Sequence, residues 1–254
     1  MNNQSIQQPA TKTKIVTLWS APRCVSSAFL KAFSQGPETA IVNEPFLDVY
    51  YFSKWRRSNR FGDCSEQHNY GTAQVIESIQ SPTTPLVFIK EMAYQALPYI
   101  ERDFLSNTIN TFIVRDPREA IASWYRVPEY PTEEEFGFEA LKKIWEIVTE
   151  ELQQEPIVVE ATKFRRNPEQ ILSRYCQSLG ITFNPQMLKW EDGSLKQNQW
   201  KPHELESRVK WYKTLDNSTG ILPPTKVEVE IRSQDIDMVE RATIFYQRMC
   251  NFAL

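Results

Sequence analysis

The sequence predicts an α/β protein built on a parallel sheet of about five strands flanked by helices. Short apolar runs rich in β-branched and aromatic residues recur at 15–19, 40–42, 86–89, 111–114 and 157–159, with helical patterns between them. Near-continuous apolar strands alternating with helices are what a sheet covered on both faces requires. The composition agrees: of 254 residues 41% are hydrophobic and 24% charged, enough to bury an ordinary core without a disulfide or metal staple.

Residues 1–13 are polar and lack the apolar stretch of a secretory signal, so they read as a disordered lead-in to a single domain over 14–254. The first apolar run, 15–19, passes into Ser20-Ala21-Pro22-Arg23-Cys24-Val25-Ser26. Ser26 or Ser27 can cap a helix reaching Phe33. The run 40–42 ends in Asn43-Glu44-Pro45, the run 86–89 in Lys90-Glu91-Met92, and the run 111–114 in Arg115-Asp116-Pro117. Pro117 stands where a first-turn proline belongs, ahead of a helix through 120–125. A long helix is expected over 136–154, one from Asn167-Pro168 to a stop at Gly180, and a last one over 233–249. The stretches 81–85 and 221–224 read as loops.

The net charge of −3 is a poor basis for sequence-independent binding to nucleic acid or an anionic membrane. No stretch approaches the ~18 uninterrupted apolar residues of a membrane span. Cys24, Cys64, Cys176 and Cys250 are far apart and form no C-x-x-C pair, which indicates reduced thiols in a soluble, cytoplasmic protein. Only 7 glycines occur, which argues against a Gly-rich phosphate cradle. Neither G-x-x-x-x-G-K-[ST] nor G-x-G-x-x-G is present.

Ligands of open parallel sheets bind at the carboxyl ends of the strands, so the residues after each strand matter most. A strand, a tight turn and a helix starting at Ser26 offer free N–H groups and the positive end of a helix dipole to a phosphate or sulfate. Arg23, Ser26 and Ser27 add side-chain donors there. Arg115 and Ser123, eight residues apart, could clasp a second phosphate, the guanidinium bidentately. Set against this are plainer roles: a capping serine with a surface arginine at the first turn, and an Arg115 ion pair with Asp116 or Glu119 at the second.

Taken together, Pro22-Arg23-Cys24-Val25-Ser26-Ser27 and Arg115-Asp116-Pro117 with Ser123 resemble the two nucleotide motifs of sulfotransferases that use 3′-phosphoadenosine 5′-phosphosulfate (PAPS). These are a P-K/R-S-G-T/S-T/S turn for the 5′-phosphosulfate and R-[DN]-P-x5-S for the 3′-phosphate. The likeness is nearest to small bacterial sulfotransferase-like proteins and spans most of the chain, with Cys176, Trp211-Tyr212 and Ser218-Thr219-Gly220 as further points. It implies a P-loop-like sulfotransferase fold, with Arg23, Cys24, Val25, Ser26, Ser27, Arg115, Ser123, Ser218, Thr219 and Gly220 binding the cofactor. The implied reaction moves a sulfo group in line to a hydroxyl or amine of a small-molecule acceptor without a metal, releasing 3′-phosphoadenosine 5′-phosphate (PAP).

Two departures from that pattern matter. Val25 stands where many members have Gly, so the turn either avoids φ > 0 there or is strained. Met92 stands where cytosolic relatives carry a histidine base. The resemblance then makes Glu44 the first candidate base, Glu91 the second and His203 a further alternative, with Lys90 and Arg23 steadying the leaving phosphate. For Glu44 the plainer role is a salt bridge to Arg23. His68, Trp190, Trp200 and Trp211 read as packing or surface residues, Glu133-Glu134-Glu135 as a solvated helix start, and Arg56, Arg57, Arg60, Arg165 and Arg166 as basic groups facing water. Glu44, Asp48, Glu91 and Glu129 would admit a cationic acceptor such as a guanidinium alkaloid. A P-loop small-molecule kinase and a non-catalytic nucleotide-binding protein are the alternatives.

Overall fold

The computed structural model describes residues 13–62, 67–126, 131–191, 214–225 and 229–254. The lead-in other than Thr13, and Cys64, Glu129, Trp200, His203, Trp211 and Tyr212, lie outside the described residues. All five expected strands form: β1 (Lys14–Ser20), β2 (Thr39–Asn43), β3 (Leu86–Met92), β4 (Ile109–Val114) and β5 (Ile157–Glu160). They make one parallel sheet in the order β2-β3-β1-β4-β5. β1 is central, with β3 and β4 on either side of it: the connection from β1 leads to β2 on one side, and that from β3 crosses to β4 on the other. That is the switch point at which open α/β sheets place ligands.

Successive side chains of a strand point to opposite faces, and the two faces have separate cores. Val16, Leu18 and Phe88 pack on one side with Phe29 and Phe33 of α1 (Ser26–Phe33) and Leu172 and Tyr175 of α10 (Pro168–Ser178). Trp19, Val87 and Ile89 pack on the other with α2 (Leu47–Tyr51), α4 (Ala93–Ala96) and α8 (Phe138–Glu146). Phe33 stacks on Phe88 with ring centroids 4.1 Å apart, and Phe29 meets Tyr175 edge-on at 4.9 Å. Burying each such ring contributes about 1.5–3 kcal/mol, which fixes α1, and therefore the turn before it, against the sheet.

Further helices follow along the chain. α3 (Thr72–Gln80) and α5 (Arg102–Ser106) flank β3 and β4 in sequence, and α6 (Pro117–Trp124) starts at the expected proline with Asp116 capping it. α9 (Ala161–Arg166) is capped by Glu160, whose carboxylate accepts from the N–H groups of Thr162 and Lys163 at 3.0 and 2.7 Å. α11 (Ile236–Cys250), entered through a 3₁₀ turn at Ser233–Asp235, packs Met238 and Val239 against Ile121 and Trp124 of α6.

Two helix boundaries differ from expectation. The helix expected over 136–154 is three pieces: α7 (Glu133–Phe136), α8, and a π-helical turn at Ile147–Glu151. Gly137 breaks it at φ 75°, and a Cβ there would lie 3.0 Å from Pro22 Cδ and 3.2 Å from Tyr94 Cδ1. Only glycine lets the α7–α8 corner sit against the turn after β1. At α1, Val25 rather than a serine is the capping residue, with no side-chain cap.

Candidate active site

The turn from β1 into α1 carries backbone strain at two of its residues. Arg23 has φ 65° and Val25 φ 68°, both left-handed. For a residue with a Cβ that conformation costs about 1–2 kcal/mol, and a β-branched residue is the least suited to it. Val25 therefore takes the strained of the two options open to it. Left-handed residues set among right-handed ones turn successive N–H groups toward a common centre, the arrangement that binds anions. The N–H groups opening α1 have no acceptor within the helix and add to that centre. Cys24, between the two strained residues, is buried, and its thiol donates to Pro22 O at 3.6 Å. Burial pushes that thiol up to about 12, so it is an uncharged packing group.

Arg23 Nε donates to Ser123 Oγ at 3.0 Å. Arg115 donates from one guanidinium nitrogen to Arg23 O at 3.1 Å and from Nε to Glu119 Oε2 at 3.0 Å. The two motifs thus meet in one place. Ser123, expected to clasp a second phosphate with Arg115, also meets the guanidinium of the first motif, and the ion pair expected as the plainer role of Arg115 forms with Glu119. Arg165 lies in the same neighbourhood, donating to Leu222 O and Pro223 O at 2.9 and 2.5 Å. Burial, then the charge of Arg115, pushes its guanidinium below its ordinary range. It is tied into the fold rather than simply facing water.

Lys90 is fully buried on β3, and its ammonium pairs with Glu44 Oε1. Glu44 follows β2 directly, is 8% exposed, and has φ 46°. Its own N–H donates to Lys90 O at 2.7 Å. A salt bridge of the kind considered for Glu44 does form, with Lys90. Glu91, the next residue of β3, points to the other face and is fully buried. Its two oxygens accept from Phe46 N at 2.9 Å and Met92 N at 2.7 Å. Burial, opposed by those two N–H groups, pushes its carboxyl up to about 8.

Next to this pair lies a polar network that sequence reasoning missed. Tyr51 Oη shares a 2.9 Å hydrogen bond with Tyr94 Oη and donates to Glu135 Oε1 at 3.1 Å. Ser58 donates to the same oxygen at 3.0 Å, and Arg60 pairs with Glu135 Oε2 at 3.4 Å. Glu135 is 1% exposed, so the acidic run does not start a wholly solvated helix, and Arg60 does not face water. In the sequence only the Thr132-x-x-Glu135 capping box, which forms with bonds of 3.0 and 3.3 Å, marked this glutamate.

The third expected segment lies beside α1. Leu215 packs in the same cluster as Val25, Ser218 Oγ donates to Leu215 O at 2.6 Å, and Thr219 O accepts from Trp190 N at 3.1 Å. Gly220 does allow a close approach, but to the chain's own Leu188 O, which a Cβ would meet at 2.9 Å. The acidic groups expected to admit a cationic acceptor are occupied internally: Glu44 by Lys90, Glu91 by two N–H groups, and Asp48 is buried and partnered. Among the described residues no cluster of His, Cys, Asp and Glu could hold a metal ion, and no helix is long and apolar enough to cross a membrane.

The chain is 26% and 25% identical to branched-chain-amino-acid aminotransferase-like proteins 1 and 2 of Arabidopsis thaliana, over 92% of its length. It spans 41% of the length of each. Solved structures similar to it include the sulfotransferase domain of the Synechococcus PCC 7002 olefin synthase, at 16% identity and a TM-score of 0.43, covering 92% of this chain and 97% of that one. The sulfotransferase domain of the curacin biosynthetic pathway follows at 14% and 0.48, covering 92% and 98%. Mouse sulfotransferase SULT7A1 complexed with PAP is similar at 12% and 0.48, covering 94% and 85%. The family model described as sulfotransferase domain matches residues 13–253, nearly the whole chain. By that match over nearly its whole length, the chain belongs to the sulfotransferase domain family.

Proposed function

We propose that the chain transfers a sulfo group from PAPS to a hydroxyl or amine of a small-molecule acceptor, with residues 14–254 acting as one domain. The observation that carries this reading is the meeting of Arg23, Ser123 and Arg115 beside a left-handed turn at the start of α1. Two arginines, a hydroxyl and inward N–H groups suit a nucleotide bearing two separated anionic groups, and the strained turn suits close backbone approach by one of them.

PAPS, when bound, supplies the sulfo group and carries away the charge left on its 5′-phosphate. Arg23, the N–H groups of Val25, Ser26 and Ser27 and the hydroxyls of the two serines hold that end, while Arg115 and Ser123 hold the 3′-phosphate. Preorganised donors of this kind stabilise charge without reorganising during reaction. Lys90 serves the same developing charge. Glu44, paired with Lys90 at the sheet rim, takes the proton from the acceptor as its oxygen or nitrogen bonds to sulfur. Ser218, Thr219 and Gly220 close the nucleotide side through their contacts with Leu188 and Trp190. Every charge in this scheme is met by a side chain or N–H group of the chain, and it uses no metal.

Thermal stabilisation by PAP, compared with ADP and Mg-ATP, tests the reading. A ligand at a hundred times its dissociation constant adds about 2.7 kcal/mol to folding stability. Selective stabilisation by PAP, lost in Arg115→Ala, is the expected result. Equal stabilisation by ADP would remove the 3′-phosphate site, and preference for Mg-ATP would favour a kinase.

A further inference from the structure

We propose that Glu91 is a positioning residue for the base: its buried carboxylate clamps the turn after β2 and so holds Glu44 against Lys90. The inference rests on Glu44 being the base, and it goes beyond that reading by assigning the neighbouring acid a separate task.

Consecutive residues of a strand face opposite ways. Lys90 sends its ammonium to Glu44 on one face, and Glu91 sends its carboxylate to Phe46 N, two residues beyond Glu44, on the other. Pro45 between them has no N–H, so Phe46 supplies the first donor after the base. β3 therefore grips the turn at three points: Lys90 O on Glu44 N, the Lys90 ammonium on the Glu44 carboxylate, and Glu91 on Phe46 N.

The grip is needed because Glu44 sits at φ 46°. A non-glycine residue returns to negative φ once released, and a turn about its own backbone would swing its carboxylate away from Lys90. Glu91 itself is fully buried and has no salt bridge among the described residues. A buried carboxylate without a counter-charge is costly, and an apolar side chain would fill the space more cheaply. Ionised, above the value of about 8 to which burial pushes it, the carboxylate is a fork of two acceptors that meets Phe46 N and Met92 N at once, which glutamine, with one oxygen and one NH₂, cannot do.

The test uses Glu91→Gln, Glu44→Gln and the double variant in the full chain at about pH 9, where Glu91 is ionised, with PAP release from PAPS followed in the presence of 4-nitrophenol as acceptor probe. Glu91→Gln is expected to lower kcat on the order of a hundredfold, the loss typical of a misplaced reacting group, with KM for PAPS and stabilisation by PAP unchanged. In the Glu44→Gln background it is expected to add no further loss. A full second loss in that background overturns the proposal. Glu91→Asp, which keeps the charge one methylene short, is expected to recover part of the rate and serves if Glu91→Gln does not fold. The clamp is also read without turnover, by amide exchange at Phe46 and the ¹⁵N signal of the Lys90 ammonium. Loss of protection at both in Glu91→Gln supports it, and unchanged signals overturn it. A wild-type chain that binds PAP but releases none from PAPS would instead overturn Glu44 as base, leaving these two signals to decide the clamp.

Discussion

Arg23 and Ser123, 100 residues apart in the chain, are joined by a hydrogen bond of 3.0 Å. The bond makes one structure of what the sequence presents as two motifs, because the same Arg23 receives Arg115 on its carbonyl oxygen. A change at either motif is therefore felt at both.

Ser123→Ala removes a hydrogen-bond partner of Arg23 and, in the proposed function, one donor to the nucleotide. A hydrogen bond involving a charged group contributes about 1.5–3 kcal/mol, so PAP affinity should fall roughly tenfold to a hundredfold, while ADP affinity, if measurable, changes less. Isothermal titration with both nucleotides checks this; an equal loss for each would place Ser123 away from the 3′-phosphate.

At Val25 the usual ranking of substitutions should invert. Val25→Ala keeps a Cβ at φ 68° and loses packing in the α1 core, whereas Val25→Gly loses the packing but relieves about 1–2 kcal/mol of strain. Denaturant melts should find Val25→Gly more stable than Val25→Ala. The opposite order would mean that the left-handed turn is not kept in solution.

Glu91 predicts a pH dependence with a definite sign. Its folded-state value of about 8 lies above the ordinary 4.5, so between these values the native chain holds a proton that the unfolded chain has lost. Stability from this group is therefore fully present below pH 4.5 and falls as pH rises toward 8. The groups acting on it are Glu44, which raises its pKa, and Lys90 and the N–H groups of Phe46 and Met92, which lower it. Thermal melts across this range should show a downward slope that is reduced in Glu91→Gln; equal slopes in both proteins would rule the group out.

The Lys90–Glu44 pair should behave as a unit. Removing one partner from a buried pair costs about 3–5 kcal/mol because the other charge is stranded. Lys90→Met and Glu44→Gln should each destabilise by that order, and the double variant by much less than their sum. A double-mutant cycle in urea measures this, and additivity would show that the pair is open to water.

Much of the fold was legible beforehand because its signals are local. The apolar runs of all five strands, Pro117 and Gly180 lie where the structure uses them. α2, α4 and α5 were not foreseen, since four or five residues do not complete two helical turns and show no period. The break at Gly137 was missed for another reason: it is set by Pro22 and Tyr94, which no spacing in that segment reveals. At the site, the residue types were readable and their partners were not. Arg23, Lys90, Glu44 and Ser123 were each singled out, but which hydroxyl met which guanidinium, and which cation met Glu44, depends on strand order. For Glu91, a base and a clamp look alike in sequence and differ only in the face of β3 from which the side chain leaves.

The central place of β1 has a consequence for how the chain is made. β1 emerges from the ribosome before every other strand, yet both its neighbours, β3 and β4, come later, with β2 made in between and destined for an edge. A nascent chain that has reached Met92 can assemble β2, β3 and β1, with Glu44 and Lys90 already side by side, while the far edge of β1 is still bare. An unpaired edge of apolar strand is a template for wrong pairing. Synthesis of β4 covers that edge and is followed directly by Arg115, so the step that ends the period of greatest aggregation risk also begins the second of the two motifs.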